Sequence, residues 1–230
     1  MGGVGGVHLL TLARLGIGAF NIADFDRFDL ANFNRQAGAL VSTIGQPKVE
    51  VLRGMAEDIN PGLNLSIFAD GVDAANLDDF LEGVDLYVDA LDFFAFSARR
   101  AVFSACRNRG IPAITAAPLG MGTAVLVFTE DSMSFDDYFG LAGCTEEEMA
   151  VRFLLGLSPG MLQRSYLADP SRVDLRARTR TTSLYAIHFD DDIGKWNGFF
   201  RLLVNYSPPQ GTRCLGKYQH VGCQYNTQCK

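Results

Sequence analysis

Short β-rich runs alternate with helical stretches through the first half of the chain, and that order leaves few folds open. Ala19-Phe20-Asn21-Ile22-Ala23 suits a buried strand ending at Asp24, and similar runs follow at Leu63 to Ala69, Val84 to Val88 and Ile111 to Ala116. Between them Pro47 to Ile59 and Phe96 to Asn108 read as helices. Strands alternating with helices build a parallel sheet covered by helices, because a parallel return needs a crossover of about a dozen residues or more. Thr123 to Thr129 follows its predecessor too closely for such a crossover and is expected to pair antiparallel. In the helix from Phe96, the residues Ala98, Ala101, Val102, Ala105 and Cys106 fall on one face and are predicted to enter the core, with Arg99, Arg100, Arg107 and Arg109 off it. Thr145 to Leu157 reads as a further amphipathic helix, opened by a capping box of Thr145 and Glu148.

At 230 residues, 48% of them hydrophobic and 17 of them Phe, the chain has apolar surface enough for one sizeable core. Its net charge of −6 argues against a general affinity for nucleic acid, which needs phosphate-neutralising cations. No apolar run reaches the roughly 18 residues of a membrane span, and no secretory leader pattern stands at the start, so a soluble, cytoplasmic protein is expected. The five cysteines form no C-x-x-C pair, which disfavours a four-thiolate zinc site. Three of them, Cys214, Cys223 and Cys229, lie with His220 in residues 208–230, a basic stretch entered through Ser207-Pro208-Pro209 and expected to be a flexible tail.

The chemistry concentrates near the N-terminus. Gly2-Gly3-Val4-Gly5-Gly6 leads into the apolar helical run His8 to Leu15, and glycines at such a turn let backbone N–H groups and the positive end of the helix approach a phosphate. Asp24, closing the next strand, is placed to accept hydrogen bonds from ribose hydroxyls. A dinucleotide oxidoreductase is disfavoured: counting from Gly3, the G-x-G-x-x-G spacing finds Gly5 and then His8 where a third glycine belongs. The following Asn32-Phe33-Asn34-Arg35-Gln36 and Gly45-Gln46-Pro47-Lys48 supply cations that a hydride-transfer site does not need. An enzyme expelling pyrophosphate does need them, because negative charge grows on the leaving group.

The string GGVG, the stretch LARLGIGAFNIADFDRFDLANFNRQ, the GQPK element and the INP at Ile59 to Pro61 together resemble the ThiF/MoeB/HesA family of ubiquitin-activating-enzyme-like adenylating enzymes. These motifs cover the first 92 residues, and the likeness continues more loosely to about residue 175. The resemblance implies a Rossmann-like, doubly wound, mostly parallel α/β fold with an antiparallel extension, and a homodimer. It further implies use of ATP and magnesium to adenylate a carboxylate, above all the C-terminus of a small ubiquitin-like or sulfur-carrier protein. Some members of the family adenylate other acids, including a carboxylated nucleoside in tRNA. Carried over residue by residue, Gly3 matches the phosphate-loop glycine, Asp24 the ribose carboxylate, and Asn32 and Arg35 the phosphate-contacting pair with Gln36 beside them. Lys48 matches the phosphate-binding lysine, and Asp92 the aspartate associated with magnesium. Arg35, Lys48 and Asp92 are thereby the expected catalytic set.

Three departures from the family pattern qualify this. The family's glycine loop follows a buried strand, so a fold lacking its first strand, and the arginine contributed from that region, is expected; a binding module of the same fold without catalysis is the alternative this raises. Phe93 stands where many members have Asn, which suggests a different adenine or substrate contact. A paired zinc motif is absent from the C-terminal half, where Cys144, facing Glu146, Glu147 and Glu148, is the best-placed thiol. The expected organisation is an adenylation domain over residues 1–175, its continuation over 176–207, and the tail. His8 and Cys106 are expected as packed residues, Trp196 with Phe199 and Phe200 as packing for a last helix, and His188 and the basic Arg172 to Arg180 as surface.

Overall fold

A computed structural model describes residues 1–119 and 122–159. The expectations for residues 160–230, including Arg172 to Arg180, His188, Trp196, His220 and the last three cysteines, lie outside the described residues. Helix α1 spans Gly3–Arg14 and so begins at the glycine cluster itself, five residues ahead of the apolar run from His8. Strand β1 (Ala19–Ala23) follows, then α2 (Lys48–Ile59), β2 (Asn64–Phe68), a short α3 (Leu77–Phe80) and β3 (Tyr87–Asp89). Helix α4 (Phe96–Asn108), β4 (Ala113–Leu119), β5 (Gly122–Phe128), α5 (Phe135–Phe139) and α6 (Glu146–Leu157) complete the order. Strand β3 starts three residues later than the predicted Val84, because the chain is still leaving a turn at Gly83, whose φ of 67° lies in the left-handed region. The capping box of α6 forms as predicted, with Thr145 accepting from the Glu148 N–H and Glu148 from the Thr145 N–H.

The strands make two ladders. Strands β1 and β2 pair in parallel, with Ile22 opposite Ile67, while β3 and β4 pair in parallel and β4 and β5 antiparallel. The antiparallel extension is therefore as expected. Among the described residues β1 pairs only with β2, and β3 only with β4.

Helices cover both faces, and the two-residue period of the strands sorts the side chains between them. Val88, Ala116 and Val125 pack with Leu12 of α1 and with Leu15 just beyond its end. Their neighbours Tyr87, Ala117 and Leu126 join a second core with Val102, Phe103 and Cys106 of α4, Phe135 and Phe139 of α5, and Phe153 of α6. Leu9 and Leu10 of α1 pack instead with Ile22 of β1 and Val49, Leu52 and Ala56 of α2, so one helix spans both ladders. None of the described helices is long and apolar enough to cross a membrane.

One face is turned differently from its prediction. Helix α4 buries Phe96, Arg99, Val102, Phe103 and Cys106, whereas Ala101 is exposed. Two phenylalanines outweigh the small alanines in apolar area, and Arg99 can follow them inward because its charge is paired there. Cys106 is fully buried as expected, and burial pushes its thiol up to about 11.

Candidate functional site

The first turn of α1 is where the candidate residues meet. A Cβ on Gly3 would stand 3.1 Å from the backbone oxygen of Arg35, and one on Gly5 would stand 3.0 Å from the Cβ of Ala90. A side chain at either place would push its neighbour back by a few tenths of an ångström, so the glycines let the turn sit close to both segments, and the helix N-terminus lies between the Arg35 loop and the loop after β3. The N-cap, Gly2, offers no side chain to the free N–H groups of that turn.

Asp24, at the end of β1, is half-buried. Its Oδ1 accepts from the Asp26 N–H at 2.7 Å and its Oδ2 from the α-amino group of Met1 at 2.6 Å. Burial raises the carboxyl, but the Met1 ammonium, these hydrogen bonds and Lys48 outweigh it and hold Asp24 below the ordinary carboxylate range. Lys48 opens α2 and is 4% exposed, so it is no surface charge. Its Nζ donates to Asp26 Oδ2 at 2.9 Å, and its N–H donates to the Asp26 carbonyl at 3.0 Å. The Asp26 carboxylate itself remains 55% exposed. A strand-like bridge between Arg27 and Pro47 clips the two segments together and brings Asp26 to Lys48.

The loop between β1 and α2 carries the other cluster. Asn32 Oδ1 accepts the Asp29 N–H at 2.9 Å, and Asp29 in return accepts from Ala31, so Asn32 is occupied in closing a 3-10 turn. Arg35, partly buried, donates from Nη1 to the Ala31 carbonyl at 2.7 Å and to Asn34 Oδ1 at 3.0 Å. Burial draws its guanidinium down from its ordinary value, opposed by the attraction of Asp92. Gln36 is 8% exposed, and among the described residues its Oε1 has no hydrogen-bond partner. A buried acceptor left open costs about 1–3 kcal/mol, so this oxygen is suited to a donor arriving from outside the chain.

Asp92 stands exposed in the loop after β3, with Oδ1 accepting from the Phe94 N–H at 3.1 Å. The loop is held from below by Arg99, which the sequence pattern places off the buried face of its helix and the structure buries. Arg99 pairs with Asp89 at 2.9 Å, both side chains being nearly inaccessible, and Asp89 also accepts from the Thr115 hydroxyl at 2.9 Å and the Leu91 N–H at 3.1 Å. Buried His8 lies within electrostatic reach of Asp89, but burial is the stronger influence and takes its imidazole down to about 4. Phe93 is partly buried. Its ring packs on Phe94, Phe96 and Phe153 with centroids 5.0, 6.1 and 5.4 Å away. With a core rich in phenylalanine beneath the loop, burying the ring there is the favourable placement.

The structure thus brings Gly3 against Arg35, which feels the charge of Asp92, and pairs Lys48 with Asp26 beside Asp24. It turns Asn32 to local capping, and it adds Asp26, Asp89 and Arg99. Among the described residues no group of three metal-ligating side chains forms. A single open carboxylate such as Asp92 nevertheless suits magnesium, which is commonly held by one or two carboxylates together with a nucleotide's phosphates. Cys144 directs its thiol at the Gly140 carbonyl at 3.4 Å.

Similarity to known proteins runs over the same region. The tRNA threonylcarbamoyladenosine dehydratase of Bacillus subtilis is 34% identical over 116 residues, which is 50% of this chain and 45% of that protein. The molybdopterin-synthase adenylyltransferase of Haemophilus influenzae is 30% identical over 198 residues, covering 76% of this chain and 81% of its own length. This chain spans about half the length of most of the curated relatives it matches. The crystal structure of the Escherichia coli tRNA N6-threonylcarbamoyladenosine dehydratase TcdA shares the fold, with a TM-score of 0.51 at 22% identity over 88% of this chain and 84% of that one. The ThiF family profile matches residues 1–167, a span that takes in the glycine turn, both ladders and every candidate residue from Gly3 to Asp92, and the chain belongs to the ThiF family.

Proposed function

We propose that this chain binds ATP over the first turn of α1 and adenylates a carboxylate. The observation that carries the reading is the close approach of Gly3 to Arg35, which sets a helix N-terminus and a cation against one another beside Asp92. Both the N-terminal N–H groups and the guanidinium favour a polyphosphate. The open Oε1 of Gln36 suits a hydroxyl or amine of the nucleoside, and Asp24, a carboxylate held charged at the end of β1, suits the ribose hydroxyls.

In the reaction an oxygen of the acid attacks the α-phosphorus in line, the bond to the leaving oxygen breaks, and pyrophosphate departs, leaving an acyl adenylate. Arg35 and Lys48 would stabilise the charge that grows on the phosphates. Asp92 would hold magnesium, which supplies further charge neutralisation across the phosphate oxygens. Lys48 enters this role from a fixed position, because its backbone is anchored to Asp26 and its ammonium is withheld from water.

We assign the acid to the C-terminus of a small ubiquitin-like or sulfur-carrier protein. An acidic chain is poorly suited to holding a tRNA, and an adenylyltransferase relative matches over most of its length. A second copy of this chain is the expected assembly.

The test is ATP–pyrophosphate exchange by the full chain with candidate small proteins and, separately, with tRNA as the source of acid. Exchange that needs the small protein and is lost in Lys48→Ala and Asp92→Ala supports the reading. Exchange with tRNA alone moves the substrate to a modified nucleoside. ATP binding without exchange makes the chain a nucleotide-binding module, and no binding at all removes the proposal.

A further inference from the structure

Arg99 is used in a way that stabilising the core does not require. Its Nε donates to Asp89 Oδ2 at 2.9 Å, while Nη2 donates to the carbonyls of Leu91 at 2.8 Å and Asp92 at 2.9 Å, and Nη1 to that of Phe93 at 3.2 Å. One guanidinium therefore holds three successive carbonyls of the loop that presents Asp92. Its carbon lies 4.8 Å from the centroid of the Phe153 ring, and Phe93 is packed into the same aromatic group. The carboxylate that orients Arg99 is itself fixed by Thr115 and Leu91. Buried ion pairs are poor sources of net stability, since apolar residues of like volume often do as well. What this one achieves is a peptide segment pinned at three carbonyls, from which Asp92 stands exposed and attracts Arg35 electrostatically.

We propose that Arg99, oriented by Asp89, is the positioning residue for Asp92, fixing where its carboxylate meets a divalent cation bound to the nucleotide phosphates. This rests on the nucleotide reading given above. Lysine cannot replace it, because an ammonium lacks the planar fork that reaches a carboxylate and several carbonyls together.

The experiment measures ATP binding to the full chain across a magnesium titration, and again in EDTA, for wild type, Arg99→Lys, Asp92→Asn and their double variant. Supporting groups around metal ligands commonly alter metal affinity by about 10- to 100-fold. Arg99→Lys is therefore expected to raise the magnesium concentration for half-maximal enhancement about tenfold, leaving magnesium-free ATP affinity within about twofold. Asp92→Asn should behave likewise, and the double variant should be no worse than Asp92→Asn alone, because Arg99 acts through Asp92. Equal weakening with and without magnesium, or losses that multiply in the double variant, would overturn the proposal. Thr115→Val, which removes one bond to Asp89 and keeps the side-chain shape, repeats the cycle should Arg99→Lys fail to fold; a smaller shift confined to magnesium is expected, and no shift overturns the proposal. Wild-type chain that binds no ATP removes the nucleotide reading and this inference together. Magnesium-assisted binding that needs Asp92 but ignores both supporting variants removes the inference alone.

Discussion

Two carboxylate–cation pairs flank the glycine turn, and they differ in which member can return to water. In Lys48–Asp26 the ammonium is buried and the carboxylate is largely exposed, whereas in Arg99–Asp89 both are closed off. In the first pair the carboxylate is the member open to solvent, so it is the one that can give way to another anion. The second is saturated by Thr115, by the Leu91 N–H and by three carbonyls, so it can only hold its own segment in place. A charge at the same short distance from its partner is thus a reserve for ligand in one case and framework in the other.

Removing the cation from each pair separates the two most sharply. Arg99→Met leaves Asp89 buried with its charge uncompensated, and urea denaturation should show a loss of about 3–5 kcal/mol. Lys48→Met leaves Asp26 in contact with solvent, so its cost in stability should stay below about 1 kcal/mol. Its cost in pyrophosphate exchange should be about 100- to 1000-fold, the usual effect of deleting one group that stabilises a developing oxyanion. Equal destabilisation by the two substitutions would break the distinction.

The same contrast marks what a reader of the sequence can and cannot see. Gly3, Asp24 and Arg35 are legible because their places are set locally, by a helix start, a strand end and a short connecting loop. Lys48 is legible as a cation, but its partner Asp26 lies 22 residues away and is chosen by the Arg27–Pro47 bridge, which no periodicity announces. Arg99 is hidden by the ordinary expectation that arginine lies outside. Counting Phe96, Arg99, Val102, Phe103 and Cys106 as one helical stripe would have found it, since the aromatic residues mark that face more strongly than the alanines of its rival. The packing of Phe93 is hidden for the converse reason: its neighbours Phe96 and Phe153 come from two helices, and only the assembled core brings them together.

His8 tests the closed side of the comparison by pH. Its imidazole, in α1 and facing Asp89, is taken by burial to about 4, below the 6.5 of the free group. Below pH 6.5 the unfolded chain therefore binds a proton that the folded chain refuses, and stability falls as pH drops toward 4 and then levels. From pH 7 to pH 5 this group alone should remove about 2 kcal/mol. Urea denaturation of wild type and His8→Gln at both values checks it: the variant should lose less by that amount. Identical losses would mean that the Asp89 charge is sufficient to keep His8 protonated in the fold.

The smallest effect expected is on the open side. Asp26→Asn keeps an oxygen for the Lys48 ammonium but removes the charge opposite it, and Lys48 has little water to turn to. A charge-assisted hydrogen bond exceeds a neutral one by about 1 kcal/mol, which for a chain of this size lowers the melting temperature by roughly 2–4 °C. Saturating ATP should remove most of that deficit, because the phosphates supply the missing negative charge, so nucleotide should raise the melting temperature of Asp26→Asn more than that of wild type. If the deficit is unchanged by ATP, Lys48 stays committed to Asp26 in the complex. The exposed carboxylate would then be as much a part of the framework as Asp89, and the difference between the two pairs would be one of burial without being one of role.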